Sequence, residues 1–319
     1  MVGMGPEREV TSSGVQAKIE EDAFRRLRDL VVAAGGIDLS LYKDRCVLRR
    51  IAVRQRACGA SDMRAYLKRV SRDPLERAQL VKALTIHVSQ FFRNPSTFRA
   101  IQREALPVLL ANKEYTGARA LRFWSVGCAC GEEPYSLALL LTEVAPDAIR
   151  RYSVTIYGTD IDPDCLRMAE EGRYLPVSLN NLPARWRQRY FSPIGSSYCL
   201  LPEIRRLVSF RLHSILDPAP FGRIDLVVFR NVLIYMTEQL QERVLLAVHA
   251  ALNEGGYLVL GKVEGLSGAA KGLFEAINVP ERIYRKSGSR SAIRRGPAGL
   301  EERGSAPRVG PFILDGDLK

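Results

Sequence analysis

The sequence predicts an α/β protein: a doubly wound sheet with a small inserted antiparallel β subdomain, preceded by an all-α N-terminal domain. Three observations predict it. Short apolar runs at 121–126, 154–160, 224–229 and 257–260 alternate with stretches of helical spacing, the pattern of strands wound against helices. The first run leads into a turn holding Gly127 and Gly131 and then into a helix, while the second ends on an acid, Asp160. From Ile19 to Leu84 the chain keeps helical spacing without strand alternation.

The 319 residues suit roughly two domains. Residues 1–18 are polar and small and read as a disordered tail. From 19 to 84, Phe24, Leu27, Leu30 and Val31, then Val47, Leu48 and Ile51, then Met63, Tyr66, Leu67 and Val70 recur at helix spacing, with Gly35, Gly36 and Gly59 as breakers. The 85–112 stretch is a linker segment and a helix, opened by Asn94 as N-cap and Pro95 as first helical residue. The 113–286 stretch is the α/β domain, interrupted at about 175–208 by Pro-punctuated pieces that suit the antiparallel insertion. From 287 to 319, Gly, Ser, Pro and Arg dominate and predict disorder. No apolar run reaches membrane-spanning length, and Met1 to Thr11 lacks the layout of a secretion signal, so the expectation is a cytoplasmic protein without membrane insertion.

Glycines in the turn after the first strand let backbone approach a ligand, and an acid at the tip of the second can accept from ribose hydroxyls. The turn is not GxGxxG, and Asp160 stands farther along than the dinucleotide spacing of about 20 residues. A nucleoside cofactor without pyrophosphate, S-adenosylmethionine first, fits better. Cys46, Cys58, Cys128, Cys130, Cys165 and Cys199 show no repeated metal-ligand spacing, so no metal is expected and the cysteines read as free thiols.

The segments Thr85 to Arg93, Trp124 to Ser136, Gly158 to Tyr174 and Asp225 to Tyr235 occur in the order and surroundings of the chemotaxis receptor glutamate methyltransferases, and the chain resembles this CheR family over 19–286. The resemblance implies a Rossmann-like methyltransferase domain that transfers a methyl group from S-adenosylmethionine to glutamates on the cytoplasmic helical region of chemoreceptors. It places Arg93, Glu133, Asp160, Arg230 and Asn231 at the cofactor. His87 and Ser89 stand where the family has Asn and Thr, Ser214 and Ile215 where it has Asn and Leu, and Gly261-Lys-Val-Glu264 where it has Gly-His-Ser-Glu. Counting these replacements in, His87, Ser89, Ser214 and Ile215 join the cofactor set.

The chemistry agrees. A glutamate side chain with a pKa of about 4.3 is already an anionic nucleophile at neutral pH, so no general base is needed and positioning dominates. Arg93 can orient a carboxylate through its fork of donors, and Tyr235 can place a hydroxyl at the same mouth; these are the expected catalytic residues. Each has a plainer reading: Arg93 as partner of an acid, Glu132 and Glu133 as helix-dipole acids, Asp162 as N-cap before Pro163, Phe91, Phe92 and Tyr235 as packing, and His213 and His249 as structural residues.

The formal net charge is +12, and between Lys43 and Asp73 ten Lys or Arg face three acids. A basic face beside a carboxylate-methylating cleft suits an acidic helical partner. Nucleic acid is the rival partner, but Arg230-Asn-Val-Leu stands where a base methyltransferase carries Asp/Asn-Pro-Pro-Tyr/Phe. A non-catalytic module that keeps the fold is the third reading, separable by cofactor binding. The compact stretch from Phe191 to Leu201, with one glycine, argues against the tethering loop that some family members carry.

Overall fold

Asp73 and Pro74 turn one helix into the next: the Asp73 carboxylate accepts from the amides of Leu75 and Glu76, while Pro74 occupies the first turn, where its missing N–H costs nothing. They belong to the smaller of two units in the computed structural model, which describes residues 12–35, 38–85 and 89–287. This unit comprises α1 (Ser12–Gly35), a 3-10 turn (Leu39–Leu41), α2 (Asp44–Ala57), α3 (Met63–Arg72) and α4 (Pro74–Leu84). The helical spacing read from the sequence buries Leu27, Val31, Val47, Ile51, Tyr66, Val70 and Leu80 together. The expected tail is shorter than read: α1 begins at Ser12, because serines cost little at a helix end and 15–18 are compatible with helix. Residues 1–11 and the expected 288–319 tail lie outside the described residues. Tyr235–Thr237 also group with these helices, with Lys43 N–H donating to the Tyr235 carbonyl at 2.8 Å and Thr237 N–H to that of Leu41 at 3.0 Å.

Part of the basic run faces inward. Arg54 donates to both oxygens of buried Glu76, at 3.1 and 2.6 Å, and the Tyr66 hydroxyl donates at 2.8 Å. Arg50 donates to the Ala83 carbonyl. Arg45, Arg49, Arg56, Arg64, Lys68 and Arg72 are exposed.

The larger unit opens with α5 (Pro95–Ala100), a π turn (Ile101–Ala105) and α6 (Leu106–Thr116). The sequence predicted one uninterrupted helix here. Pro107 lacks the N–H that would close an ordinary turn, and the ladder widens just before it. There follow β1 (Ala120–Val126), α7 (Glu132–Val144), α8 (Pro146–Arg151), β2 (Ser153–Asp160), α9 (Pro163–Glu171), β3 (Arg173–Tyr174), α10 (Ala184–Tyr190), β4 (Phe191–Ile194), β5 (Ser197–Leu200), α11 (Pro202–Arg205), β6 (Val208–Leu212), β7 (Ile224–Phe229), α12 (Glu238–Ala251), β8 (Leu252–Leu260), β9 (Phe274–Asn278) and β10 (Ile283–Lys286).

A seven-stranded sheet runs β6-β2-β1-β7-β8-β10-β9. The strands β6, β2, β1, β7 and β8 are parallel, and β10 and β9 add antiparallel to one edge. Strand order reverses between β1 and β7, the place where open α/β sheets bind ligands. β7 is buried throughout, as a central parallel strand must be. The expected insertion is a three-stranded antiparallel sheet, β3-β5-β4, whose hairpin closes over Gly195 and Ser196.

Glu76 sets an acid limit on the helical unit. Burial opposes its charge, but hydrogen bonds from Arg54, Cys58 and Tyr66 outweigh burial and hold its pKa down to about 2. Because the folded value lies below the unfolded one, the stability this contributes is present above pH 4.5 and lost as pH falls toward 2. Glu76→Gln should cost about 1.5–3 kcal/mol at pH 7 and flatten the acid arm of the stability profile, measured by urea denaturation from pH 7 to 2. An unchanged acid arm would contradict this.

Candidate active site

Five parallel strands deliver their C-terminal ends, and the loops after them, to one edge of the sheet. After β1, Gly127 (φ +66°) and Gly131 (φ +90°) adopt left-handed backbone, and a side chain at either would collide with Val232 or Ala169 at 2.8 Å. After β2, the buried carboxylate of Asp160 gathers three backbone amides: Ala129 at 2.8 Å on one oxygen, Ile161 at 2.8 Å and Asp162 at 3.1 Å on the other. It therefore fixes both the glycine turn and its own strand end. Asp162 caps α9, as expected, accepting from Asp164 and Cys165.

Arg230, which the family resemblance sets at the cofactor, bonds Glu133, Arg93 and Asn94 through its guanidinium. It lies 5% exposed, pairs with Glu133 at 3.1 Å, and donates to the Arg93 carbonyl and to the Asn94 side chain, both at 2.7 Å. Asn94 is thus no side-chain cap: it holds a left-handed φ of 60°, and its carboxamide serves Arg230. The other Glu133 oxygen accepts from Ser125 at 2.8 Å. Burial raises the Glu133 pKa, with Arg230 and Ser125 pulling the other way.

Neighbouring Glu132 differs. It is 5% exposed, one of its oxygens has no hydrogen-bond partner, and burial pushes its pKa up to about 7 against a hydrogen bond from Ser89. Ser136, in the same motif, donates to the Glu132 carbonyl at 2.6 Å and accepts from the Phe92 amide at 2.9 Å. Phe91 and Phe92 are fully buried, packed edge-on against Tyr174 and Phe191 and against Phe98 and Trp186, so the packing reading holds for both.

Asn231 is left-handed (φ 63°), and its amide donates to Glu264 at 2.8 Å. Glu264 also accepts from Gly261 at 2.7 Å and Ile234 at 3.3 Å. The sequence reading gives Glu264, in Gly261-Lys-Val-Glu264, no role; the signal for one is an acid three residues after the glycine that follows β8. Ser214 and Ile215 follow β6 in a turn, where the Ser214 hydroxyl accepts from Leu216 N–H at 3.3 Å and the His213 amide donates to the Asp160 carbonyl at 2.9 Å. The edge thus brings together Ser89, Arg93, Glu133, Asp160, Ser214, Ile215, Arg230 and Asn231. Tyr235 groups with the helical unit. His87 lies outside the described residues. Among the described residues no cluster of His, Cys, Asp and Glu could hold a metal ion.

Residues 87–283 match the family described as CheR methyltransferase, SAM binding domain, and residues 22–85 match the CheR methyltransferase all-alpha domain. The chain belongs to the CheR methyltransferase family. A chemotaxis protein methyltransferase of Listeria innocua is 33% identical over 72% of this chain and 84% of its own length. Chemotaxis protein methyltransferase Cher2 of Pseudomonas putida is 31% identical over 77% of this chain and 90% of its own length. An uncharacterized 104.1 kDa protein of Rhodobacter capsulatus is 33% identical over 91% of this chain, which spans only 30% of that protein. This CheR methyltransferase is S-adenosylmethionine-dependent, and its residues fit that cofactor: the buried Glu132 oxygen that has no hydrogen-bond partner suits an ammonium group.

Two outcomes are expected. Glu264→Ala leaves the Asn231, Gly261 and Ile234 amides without their acceptor, so it should cost about 1–3 kcal/mol and weaken binding of S-adenosylhomocysteine in the folded variant; unchanged calorimetric affinity would exclude Glu264 from positioning the site. Glu132 has a folded pKa above its unfolded value, so the ligand-free protein should lose stability as pH rises from about 4.5 toward 7, and Glu132→Gln should remove that slope.

Proposed function

We propose that this enzyme methylates glutamate side chains on the cytoplasmic helical region of chemoreceptors and thereby tunes sensory adaptation in a cytoplasmic signalling pathway. The observation that carries the reading is that an all-alpha and a SAM-binding CheR domain occur in one chain, with relatives named chemotaxis protein methyltransferase matching 72% and 77% of it.

When bound, S-adenosylmethionine supplies a sulfonium methyl group that a carboxylate oxygen can take in line. The protein's part is to hold the two partners close in a dry cleft, since the substrate glutamate is ionised at neutral pH. Asp160, at the tip of β2, would hold the ribose hydroxyls. Ser214, Ile215 and Asn231 line the same edge, from the loops after β6 and β7. Ser89 orients Glu132, whose buried carboxylate would hold the cofactor's ammonium group. Glu133 and Arg230 position the turn. Arg93, its carbonyl anchored by Arg230, would orient the substrate carboxylate through its fork of donors. Exposed Arg45, Arg49, Arg56 and Lys68 steer the acidic receptor helix by long-range attraction that salt weakens.

The reading is tested by incubation with labelled S-adenosylmethionine and receptor cytoplasmic fragments: the label should enter the receptor and be released by base, as a methyl ester is. Base-stable label, or label in nucleic acid alone, would overturn it. Asp160→Asn should raise the calorimetric Kd for S-adenosylhomocysteine about tenfold or more and also lower Tm, because Asp160 serves three backbone amides as well. Arg93→Ala should lower kcat/KM by about 10–100-fold while that Kd stays near wild type; a fall in cofactor affinity alone would move Arg93 off the substrate side. Binding should strengthen as pH rises to about 7 and release a proton below it, a dependence that Glu132→Gln abolishes.

A further inference from the structure

The turn after β1 and the first turn of α9 each present a cysteine. Their sulfurs are in contact: Cys130 Sγ lies 3.2 Å from Cys165 Sγ, although the two residues are 35 apart in sequence. A disulfide bond is about 2.05 Å long, so the two sulfurs must draw together by about 1.1 Å to bond.

The two thiols have unequal surroundings. Cys130 is partly exposed and directly precedes Gly131, the residue that caps α7 (Glu132–Val144), so solvent can reach its sulfur. Cys165 is 5% exposed, and its amide is tied to Asp162. Its hydrogen bond with Cys130, then burial, raise the Cys165 pKa.

We infer that Cys130 and Cys165 are an oxidisable pair, closing to an intramolecular disulfide that weakens the hold on the cofactor. The oxidant is hydrogen peroxide. The Cys130 thiolate attacks one peroxide oxygen and the O–O bond breaks. The leaving oxygen departs as water after taking up a proton, and Cys130 becomes a sulfenic acid. Cys165 gives up its proton, its sulfur attacks the Cys130 sulfur, and the displaced hydroxide takes that proton as a second water. The two thiols lose two electrons in all, and the peroxide gains them.

The link would cross the edge of the cofactor site. The Cys130 carbonyl accepts from the Tyr174 hydroxyl at 2.8 Å, and the amide of Ala129, beside it, donates to Asp160 at 2.8 Å. Drawing the sulfurs together pulls the turn toward α9 and away from the arrangement that these bonds hold. This consequence rests on the reading that the turn holds S-adenosylmethionine.

The test uses the full chain, reduced and then titrated with hydrogen peroxide. Intact mass should fall by two hydrogens, non-reducing peptide mapping should join Cys130 to Cys165, and dithiothreitol should reverse both changes. In Cys165→Ala, Cys130 should stop at a sulfenic acid that dimedone traps; if that variant does not fold, Cys130→Ser should leave Cys165 unoxidised. Oxidised protein should bind S-adenosylhomocysteine about tenfold or more weaker than reduced protein by calorimetry. Oxidation of Cys46, Cys58 or Cys199 ahead of Cys130, a different pairing, or equal affinity in the two forms would overturn the inference. If reduced protein fails to bind S-adenosylhomocysteine, the cofactor reading falls, and the peptide map alone decides whether the pair exists.

Discussion

The buried guanidinium of Arg230 is the constraint on which the site edge depends. One arginine, 5% exposed, ties the start of α7 through Glu133 to the Arg93–Asn94 turn and to the loop after β7. A charge so deeply placed is tolerated only because an opposite charge and oriented acceptors surround it. The rigid fork of donors also sets directions, so three segments far apart in sequence are held at defined angles by one planar group.

Two carboxylates repeat the device with backbone as the partner. Asp160 collects amides after β2, and Glu264 collects amides around the β7 and β8 loops. These loops carry left-handed backbone at Phe92, Asn94, Ala129 and Asn231, four of the six such non-glycine residues among those described. Each conformation costs energy that the charged acceptors offset, and such residues gather where a site must be shaped before its ligand arrives.

Much of this was legible in the sequence because it is local. Apolar runs gave β1, β2 and β7, Asp162 before Pro163 gave the α9 cap, and Gly127 and Gly131 marked the ligand turn. What escaped the reading depends on distant partners. Asn94 looks like a helix cap until a bond to Arg230, 136 residues away, claims its side chain. Adjacent Glu132 and Glu133 are indistinguishable as letters; one finds Arg230 and the other keeps a buried oxygen unpaired. β9 and β10 form an antiparallel edge with mixed exposure, and β6 alternates only weakly, so neither carried the apolar run that announces a central strand.

The return of Tyr235–Thr237 to the helical unit bears on how this protein can be divided. Sequence alone invites a cut near residue 86, where the helices end. A fragment ending there would leave the Lys43 amide and the Leu41 carbonyl without the partners that a segment some 190 residues downstream provides. The helical unit is discontinuous in sequence, and a piece excised from it keeps its native pairing only if those three residues come with it, by grafting or by complementation from the remainder of the chain.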